Sequence, residues 1–336
     1  MICRSIRLAS AATLALLSVI VLRVSAQQQV PAAPPQAPSA APQQPMASAP
    51  TAAPTFPKPD PADFTASTPS KEVINAFLQT TWGYDQNRIW QIQAMMKTPV
   101  EGITKVVILI GDKTGKQKPA ALQFFALPDG KHIIAGDEVL PFGEHPYAGY
   151  RADLQQNADG PYRGSASKDL ELVEFADFQC PHCKDAQANM DKLATDFPKA
   201  RIVFQNYPLA QIHPASVTAA NYAVCVTKLG GSPAFFQFAS AVFDGQEGLA
   251  SPDGATLTLN SAVTKAGLDP AKVAACAATP EVGTQVQASV KLAQGLNINQ
   301  TPTLMVNGRQ VPIGGLPYET LKQIVEYQAK LDGVAQ

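Results

Sequence analysis

The sequence is poor in charge, and the charges that it has are balanced. Of 336 residues, 26 are lysine or arginine and 27 are aspartate or glutamate, which gives a formal net charge of −1. Proteins that bind nucleic acid carry a basic excess, which is missing here. We therefore expect no nucleic-acid partner. Because 46% of the residues are apolar, the chain can bury a core, and its length fits one large domain or two modest ones.

Long apolar runs are also scarce. The clearest one extends from Leu8 to Leu22 after a basic start, and the small residues Val24-Ser25-Ala26 follow it. A run of about fifteen residues suits the apolar region of a secretory signal peptide and is short for a membrane span. We expect residues 1–26 to be a signal peptide, and hence a periplasmic or otherwise exported protein. An uncleaved anchor is the alternative, because Arg23 lies at the end of the run.

Residues 27–69 are rich in proline, alanine and glutamine and have no hydrophobic period. Such a segment cannot bury enough apolar surface to fold, so we expect a disordered linker. Residues 70–150 instead predict a small α+β domain. Its expected elements are a helix capped by Ser70, a second helix at Asn87–Met96, a strand at Ile103–Ile110, and a hairpin with strands Leu122–Leu127 and His132–Val139 around Pro128-Asp129-Gly130.

The rest of the chain alternates between strand and helix patterns after a polar segment, Gln155–Ser167, that we interpret as a second linker. The expected elements are a strand at Leu170–Phe175, a helix through Thr195, a strand at Arg201–Tyr207, an Ala-rich helical region at Pro214–Leu296 broken at Gly230-Gly231, a hairpin around Asn307-Gly308 and a helix at Tyr318–Leu331. The order is therefore a strand–helix–strand unit, a helical insertion, a hairpin and a last helix.

Cysteine is rare, and its placement points to redox chemistry. Cys3 lies in the predicted signal peptide, and two of the other four cysteines form the motif Cys180-Pro181-His182-Cys183. The motif stands where a helix is expected to begin, and the free N–H groups and positive dipole end of a first turn favour a thiolate. Cys180 would be the exposed nucleophile and Cys183 the resolving thiol one turn later. His182 could lower the pKa of Cys180 further through charge or hydrogen bonds.

Three other uses of this pair remain as alternatives. Half of a zinc site would need two more ligands, and Cys225 and Cys276 lack a metal-binding spacing. A c-type haem would need a histidine directly after the second cysteine, where Lys184 stands. An inert structural disulfide would have to tolerate the strain of a very short loop. We expect no metal, and no cofactor beyond the dithiol itself.

Two motifs in this part of the chain resemble a known family. The run Leu172–Cys183 resembles the active-site strand and helix of the DsbA-type thioredoxin-fold thiol–disulfide oxidoreductases, and Thr301–Arg309 resembles that family's cis-proline loop and hairpin. The resemblance implies an α/β, thioredoxin-like fold with a helical insertion over residues 165–332, preceded by the small α+β domain. It also implies an enzyme that exchanges disulfides with cysteine-containing exported polypeptides. A membrane redox partner is expected, but the sequence does not identify it.

The resemblance assigns roles to particular residues. Pro302 would be cis and face the dithiol, and Thr301 would offer its backbone to an extended substrate segment. Glu174 falls where the family has a buried acid, and a buried carboxylate near Cys183 can accept the proton of the resolving thiol. The alternative is that Glu174 is a partly exposed strand residue with no role and that the nearby Asp177 is the acid that matters.

The predicted helical insertion holds the last two cysteines. Since Cys225 and Cys276 have no other exported partner once the motif pair is assigned, we expect a structural disulfide between them. Two buried free cysteines are the alternative. His213, just before the insertion, is interpreted as a helix-start or packing histidine.

A shorter resemblance concerns the first domain. Residues Phe124–Gly136 are similar to the hairpin that precedes the catalytic domain in the DsbC/DsbG disulfide isomerases, where the preceding domain dimerises. A generic two-stranded hairpin is the alternative. We therefore expect a periplasmic thiol–disulfide oxidoreductase, with two alternatives: an isomerase or reductase of DsbC/DsbG type that can form a homodimer, or a client-binding chaperone module whose dithiol is vestigial.

Overall fold

The computed structural model describes residues 56–115 and 118–334. The predicted signal peptide and residues 27–55 of the predicted linker lie outside them. Within these two described ranges, no helix is both long enough and apolar enough to cross a bilayer.

In the described residues, the first domain is a five-stranded antiparallel meander with one α-helix. Its elements are α1 (Lys71–Trp82), β1 (Arg88–Lys97), β2 (Thr104–Asp112), β3 (Ala120–Ala126), β4 (His132–Ala135) and β5 (Glu138–Pro141). The strands lie in chain order, each hydrogen-bonded to the next. The Ser70 side chain accepts a hydrogen bond from the amide of Val73 and so caps α1. Ile74 and Leu78 of α1 pack against Ile108 of β2 in the core of this domain.

The prediction of a helix at Asn87–Met96 is wrong, because this segment is strand β1. The strand pairs with β2 along its whole length, and the register shifts between Ile92 and Ala94. Such a bulge inserts an extra residue and interrupts the alternation of apolar and polar positions that identifies a strand. The predicted hairpin at Pro128-Asp129-Gly130 is present, but its second strand is shorter than expected and turns again into β5.

Ordered structure begins before the predicted boundary at Ser70. The amide of Ala66 donates to the carbonyl of Met95 at 2.9 Å, and the amide of Lys97 donates to the Thr65 hydroxyl at 3.0 Å. The segment 56–69 therefore packs along β1 and is not part of a disordered linker.

The second domain is built around a mixed five-stranded β-sheet. Its elements are α2 (Ala148–Asn157), β6 (Tyr162–Gly164), β7 (Glu171–Ala176), α3 (Pro181–Asp196), β8 (Arg201–Asn206), α4 (Ser216–Asp244), α5 (Pro252–Lys265), α6 (Pro270–Ala277), α7 (Pro280–Gly295), β9 (Thr303–Val306), β10 (Arg309–Pro312) and α8 (Tyr318–Leu331). The strand order is β10-β9-β7-β8-β6, with β7 parallel to β8 and antiparallel to β9. Every residue of β7 is buried, as expected for a central strand covered on both faces.

The segment interpreted as a second linker is structured instead. The end of α2 and all of β6 lie within Gln155–Ser167, and β6 pairs with β8 at the edge of the sheet. Leu154 on α2 packs into the core beneath β7. Their polar composition reflects positions at a sheet edge and on a half-exposed helix.

The helical insertion covers the active-site end of the sheet. Helix α4 is kinked at Gly231, whose φ of 71° lies in the left-handed region that glycine favours, at the predicted break. Cys225 on α4 is bonded to Cys276 on α6, with an S–S distance of 2.07 Å.

One arginine joins the two domains. Arg309, on β10, is 5% exposed and donates to the carbonyl oxygens of Thr80 and Thr81 at the end of α1. A cation at this position satisfies carbonyls that have no partner within the helix and opposes the negative end of its dipole. On the other side of the contact, the Tyr327 hydroxyl donates to the carbonyl of Gln79 at 2.7 Å.

Candidate active site

The two motif cysteines lie at the junction of β7 and α3. Cys180 is the N-cap of α3, and Pro181 occupies the first helical turn. An amide in this turn has no acceptor within the helix, so the absence of an N–H in proline costs no hydrogen bond. Cys183, one turn into the helix, is fully buried, and Cys180 is 5% exposed. Both are free thiols in this structure. Cys180 is therefore less exposed than the sequence suggests, although it is the more accessible of the pair.

The surroundings of Cys180 favour its thiolate. A hydrogen bond from Cys183 is the largest influence, and Thr301 and the backbone amides of Cys183 and His182 add to it. Together they lower the pKa of Cys180 to about 5 in spite of its partial burial. The His182 amide makes this contribution, whereas the His182 side chain is exposed. At neutral pH, Cys180 is a thiolate.

The loop before β9 contacts the dithiol at Cys180. The Thr301–Pro302 peptide bond is cis, and Cys180 Sγ lies 3.6 Å from the Thr301 carbonyl oxygen. The Thr301 hydroxyl oxygen is buried on this side of the dithiol. A Cβ added to Gly314 would lie 3.7 Å from Pro302 and 3.9 Å from His182, so these three residues border the same surface.

Cys183 is in the opposite electrostatic situation. Burial is the first cause that raises its pKa, and the hydrogen bond to Cys180 and the charge of Glu174 raise it further. The amide of Asp177 donates to Cys183 Sγ at 3.4 Å and partly offsets this effect. Cys183 therefore remains a thiol until a base removes its proton.

A candidate base lies beneath the dithiol. Burial raises the pKa of Glu174 to about 7, so the carboxyl group exchanges a proton near neutral pH. Gln187 Nε2 donates both to Glu174 Oε1 at 2.9 Å and to the carbonyl oxygen of Cys183 at 3.1 Å. Gln187 thus links the carboxylate to the backbone of the resolving cysteine.

Asp177 has a different environment from Glu174. Its buried carboxylate accepts hydrogen bonds from the amides of Gln179 and Leu209, both at 2.8 Å, and pairs with His213 Nδ1 at 2.8 Å. These three partners hold the turn before Cys180 against the loop that follows β8. The interpretation of His213 as a helix-start or packing histidine is therefore incomplete, because His213 is the side-chain partner of a buried acid.

The insertion also holds the active-site turn. Gln246, in a 3₁₀ turn after α4, donates to the carbonyl oxygens of Phe178 and Cys180 at 2.8 and 2.9 Å. Gln179 bridges to the insertion through the carbonyl of Leu249 and the amide of Ala215. These amide side chains bind backbone groups of the active-site turn and of the insertion, and so connect the two.

Sequence reasoning missed the supporting residues. Gln187 had a local signal, because it lies four residues after Cys183 and so on the same helix face. Gln246 had none, since its partners are 66 and 68 residues away along the chain. Among the residues that the structure describes, no group of three or more histidine, cysteine, aspartate or glutamate side chains is arranged to hold a metal ion.

Comparison with known proteins gives one family match. Residues 156–327, about half of the chain, match the family model described as thioredoxin. A solved thioredoxin-like oxidoreductase from Silicibacter pomeroyi is 27% identical, with a TM-score of 0.46 over 54% of this chain and 98% of that one. A periplasmic thioredoxin-like protein from Salmonella enterica serovar Typhimurium is 21% identical, with a TM-score of 0.43 over 54% and 96%.

The curated relatives that match are much longer proteins. The Na(+)/H(+) antiporter NhaA 3 of Salinispora tropica is 28% identical over 148 residues, which are 44% of this chain and 22% of the antiporter. The aligned part of this chain thus spans about a fifth of the length of that relative.

Proposed function

The chain belongs to the thioredoxin family, and on that premise we propose that it is a thiol–disulfide oxidoreductase that donates disulfides to cysteine-containing polypeptides. The match over residues 156–327 confirms both the resemblance to thioredoxin-fold proteins and the thioredoxin-like α/β fold class predicted from the sequence. The reaction is carried by Cys180 and Cys183.

The observation that carries the proposal is the contrast between the two thiols. A lowered pKa at Cys180 and a raised pKa at Cys183 within one dithiol separate the nucleophile from the resolving group. A purely structural disulfide does not require this difference. Disulfide exchange requires one cysteine that is a good nucleophile and leaving group, and a second that resolves the mixed disulfide.

The contrast sets the sequence of steps. In the oxidised protein, a client thiolate attacks Cys180 Sγ, forms a mixed disulfide and displaces Cys183 as a thiolate, which takes a proton from Glu174. A second client thiolate then attacks the client sulfur of the mixed disulfide and releases Cys180 as a thiolate. The client has then lost two electrons, and the protein has gained them as the dithiol.

The low pKa of Cys180 favours this direction. Stabilising the thiolate stabilises the reduced protein, so the oxidised protein gives up its disulfide readily. A thiolate of low pKa is also the better leaving group in the second step. Returning to the disulfide requires an oxidant, and we propose a membrane redox partner for that role.

We place the reaction outside the cytoplasm, in the periplasm or another exported location. The Cys225–Cys276 bond supports this, because structural disulfides persist in oxidising compartments. The clients are therefore exported polypeptides that acquire disulfides as they fold.

The test is oxidation of a reduced peptide that carries two cysteines, with the oxidised protein supplied in stoichiometric amount. We expect the wild type to form the peptide disulfide, the Cys180→Ala variant to form none, and the paired Cys225→Ala and Cys276→Ala variant to keep the activity. Reduction of insulin that is faster than oxidation of the peptide would instead assign the protein as a reductase.

A further inference from the structure

A cavity of about 870 Å³ lies between the first domain and the cis-proline side of the second. We propose that it binds the part of the client polypeptide next to the reacting cysteine, in extended form, and that it prefers neutral or basic segments over acidic ones. The inference rests on the proposed function and specifies the substrate that the same site accepts.

One wall of the cavity ends next to the loop that faces the dithiol. One wall is the turn and strand at Asp137–Pro141, and the opposite wall is the loop at Asn297–Gln300. Gln300 directly precedes Thr301, whose carbonyl oxygen lies 3.6 Å from Cys180 Sγ. A polypeptide that is covalently attached at Cys180 and runs along this loop therefore passes from Thr301 into the cavity.

The lining suits a polypeptide backbone. Three tyrosine rings line the cavity together with glutamine and asparagine side chains, which both donate and accept hydrogen bonds as peptide groups do. Two of the rings are already fixed: the Tyr207 hydroxyl donates to the carbonyl of Ile298 at 2.9 Å, and Asn297 Nδ2 donates to the Tyr150 hydroxyl at 2.9 Å. Rigid aromatic surfaces beside adaptable polar groups bind varied polypeptides at a low entropic cost.

The charge of the lining gives the preference. Asp137 and Glu138 are the acidic side chains that line the cavity, and no lysine, arginine or histidine of the described ranges does so. Both acids are exposed at the rim. An acidic client segment would therefore meet like charge, while a basic one would meet opposite charge.

The cavity is a feature that this chain adds to its family domain. Asp137–Pro141 and the tyrosines Tyr147 and Tyr150 lie outside the family match, which begins at residue 156. The contact between Arg309 and the end of α1 joins the first domain, which supplies Asp137–Pro141, to the second. The first domain would thus contribute directly to substrate choice.

The test follows the first attack of the reduced protein on three disulfides. These are the small neutral 2-hydroxyethyl disulfide and two peptides of equal length, each blocked at its cysteine as a mixed disulfide, one basic and one acidic beside that cysteine. The variant reverses the rim charge through Asp137→Lys and Glu138→Lys. The control, Glu101→Lys, changes an exposed acid of the same domain that does not line the cavity.

We expect the wild type to react about tenfold faster with the basic peptide than with the acidic one, which corresponds to one strong charge contact. The rim variant should reverse this order, the control should keep it, and the small disulfide should react equally with all three proteins. Equal rates for the two peptides in the wild type, or the same reversal in the control, would overturn the inference. Failure of the wild type to react even with the small disulfide would instead reject the proposed function.

Discussion

Replacing Glu174 by glutamine should have two separate effects. One is on the free energy of unfolding, and the other is on the rate at which Cys183 reacts. The pKa of Glu174 rises from 4.5 to about 7 on folding, which corresponds to about 3 kcal/mol. Because burial disfavours the ionised form, this penalty is absent below pH 4.5, grows as the pH rises and levels off above about pH 7. The buried Glu174 carboxyl therefore destabilises the wild type at neutral pH.

In the Glu174→Gln variant, the side chain at position 174 is uncharged at every pH. Its amide oxygen can accept the hydrogen bond from Gln187 that the carboxylate accepts in the wild type. Relative to the wild type, the variant should gain about 3 kcal/mol of unfolding free energy between pH 4.5 and about pH 8. Urea unfolding of both reduced proteins across this range measures the gain. A stability difference that does not change with pH would refute the titration of a buried carboxyl at this position.

The same substitution should slow the chemistry. Since an amide cannot exchange a proton with Cys183, the step in which Cys183 attacks a mixed disulfide at Cys180 should slow by about a hundredfold, while the first attack by Cys180 changes little. Trapping the mixed disulfide in a rapid-quench experiment measures both steps. The Glu171→Gln variant, which alters another buried acid of β7, is the matched control and should leave both rates near those of the wild type.

Three further outcomes follow from the packing. Removing the Cys225–Cys276 bond by alanine substitution should lower the unfolding free energy by about 4 kcal/mol in the chain-entropy model, because the bond closes a loop with a sequence separation of 51. Peptide mapping of the unreduced wild type should find this bond. His213→Ala should lower the unfolding free energy by about 1–3 kcal/mol by removing a partner of the buried Asp177, and His213→Asn should recover most of it. Arg309→Ala should cost about 2 kcal/mol and make the first domain more sensitive to limited proteolysis.

The elements of the catalytic domain were largely predictable, because local patterns determine them. The last helix begins and ends at the predicted residues, Tyr318 and Leu331. The helix that begins after Cys180 has proline in its first turn, which is a local signal. In contrast, β1 was predicted as a helix because a bulge disturbs its alternation, and β6 was taken for a linker because a three-residue edge strand carries too little pattern. Only tertiary pairing identifies these strands.

The candidate site shows the same division. The motif located both cysteines, and the family resemblance placed Glu174 and Pro302, since these residues lie in recognisable runs. The network that holds the active-site turn was not predictable, because Gln246 and His213 reach it from distant parts of the chain. Self-association through residues 70–150, suggested by the likeness to DsbC/DsbG, stays a prediction that sedimentation of the mature protein can test.

If Cys180 and Cys183 form a disulfide-donating pair, the reduction potential of that pair shows it directly. Equilibration with glutathione at neutral pH, followed by alkylation and mass analysis, gives the reduced fraction. Because the Cys180 thiolate is stabilised, we expect a potential nearer to the roughly −120 mV of strong disulfide donors than to the roughly −270 mV of thioredoxin. A value at or below that of thioredoxin would show that the pair is a reductant and not a disulfide donor.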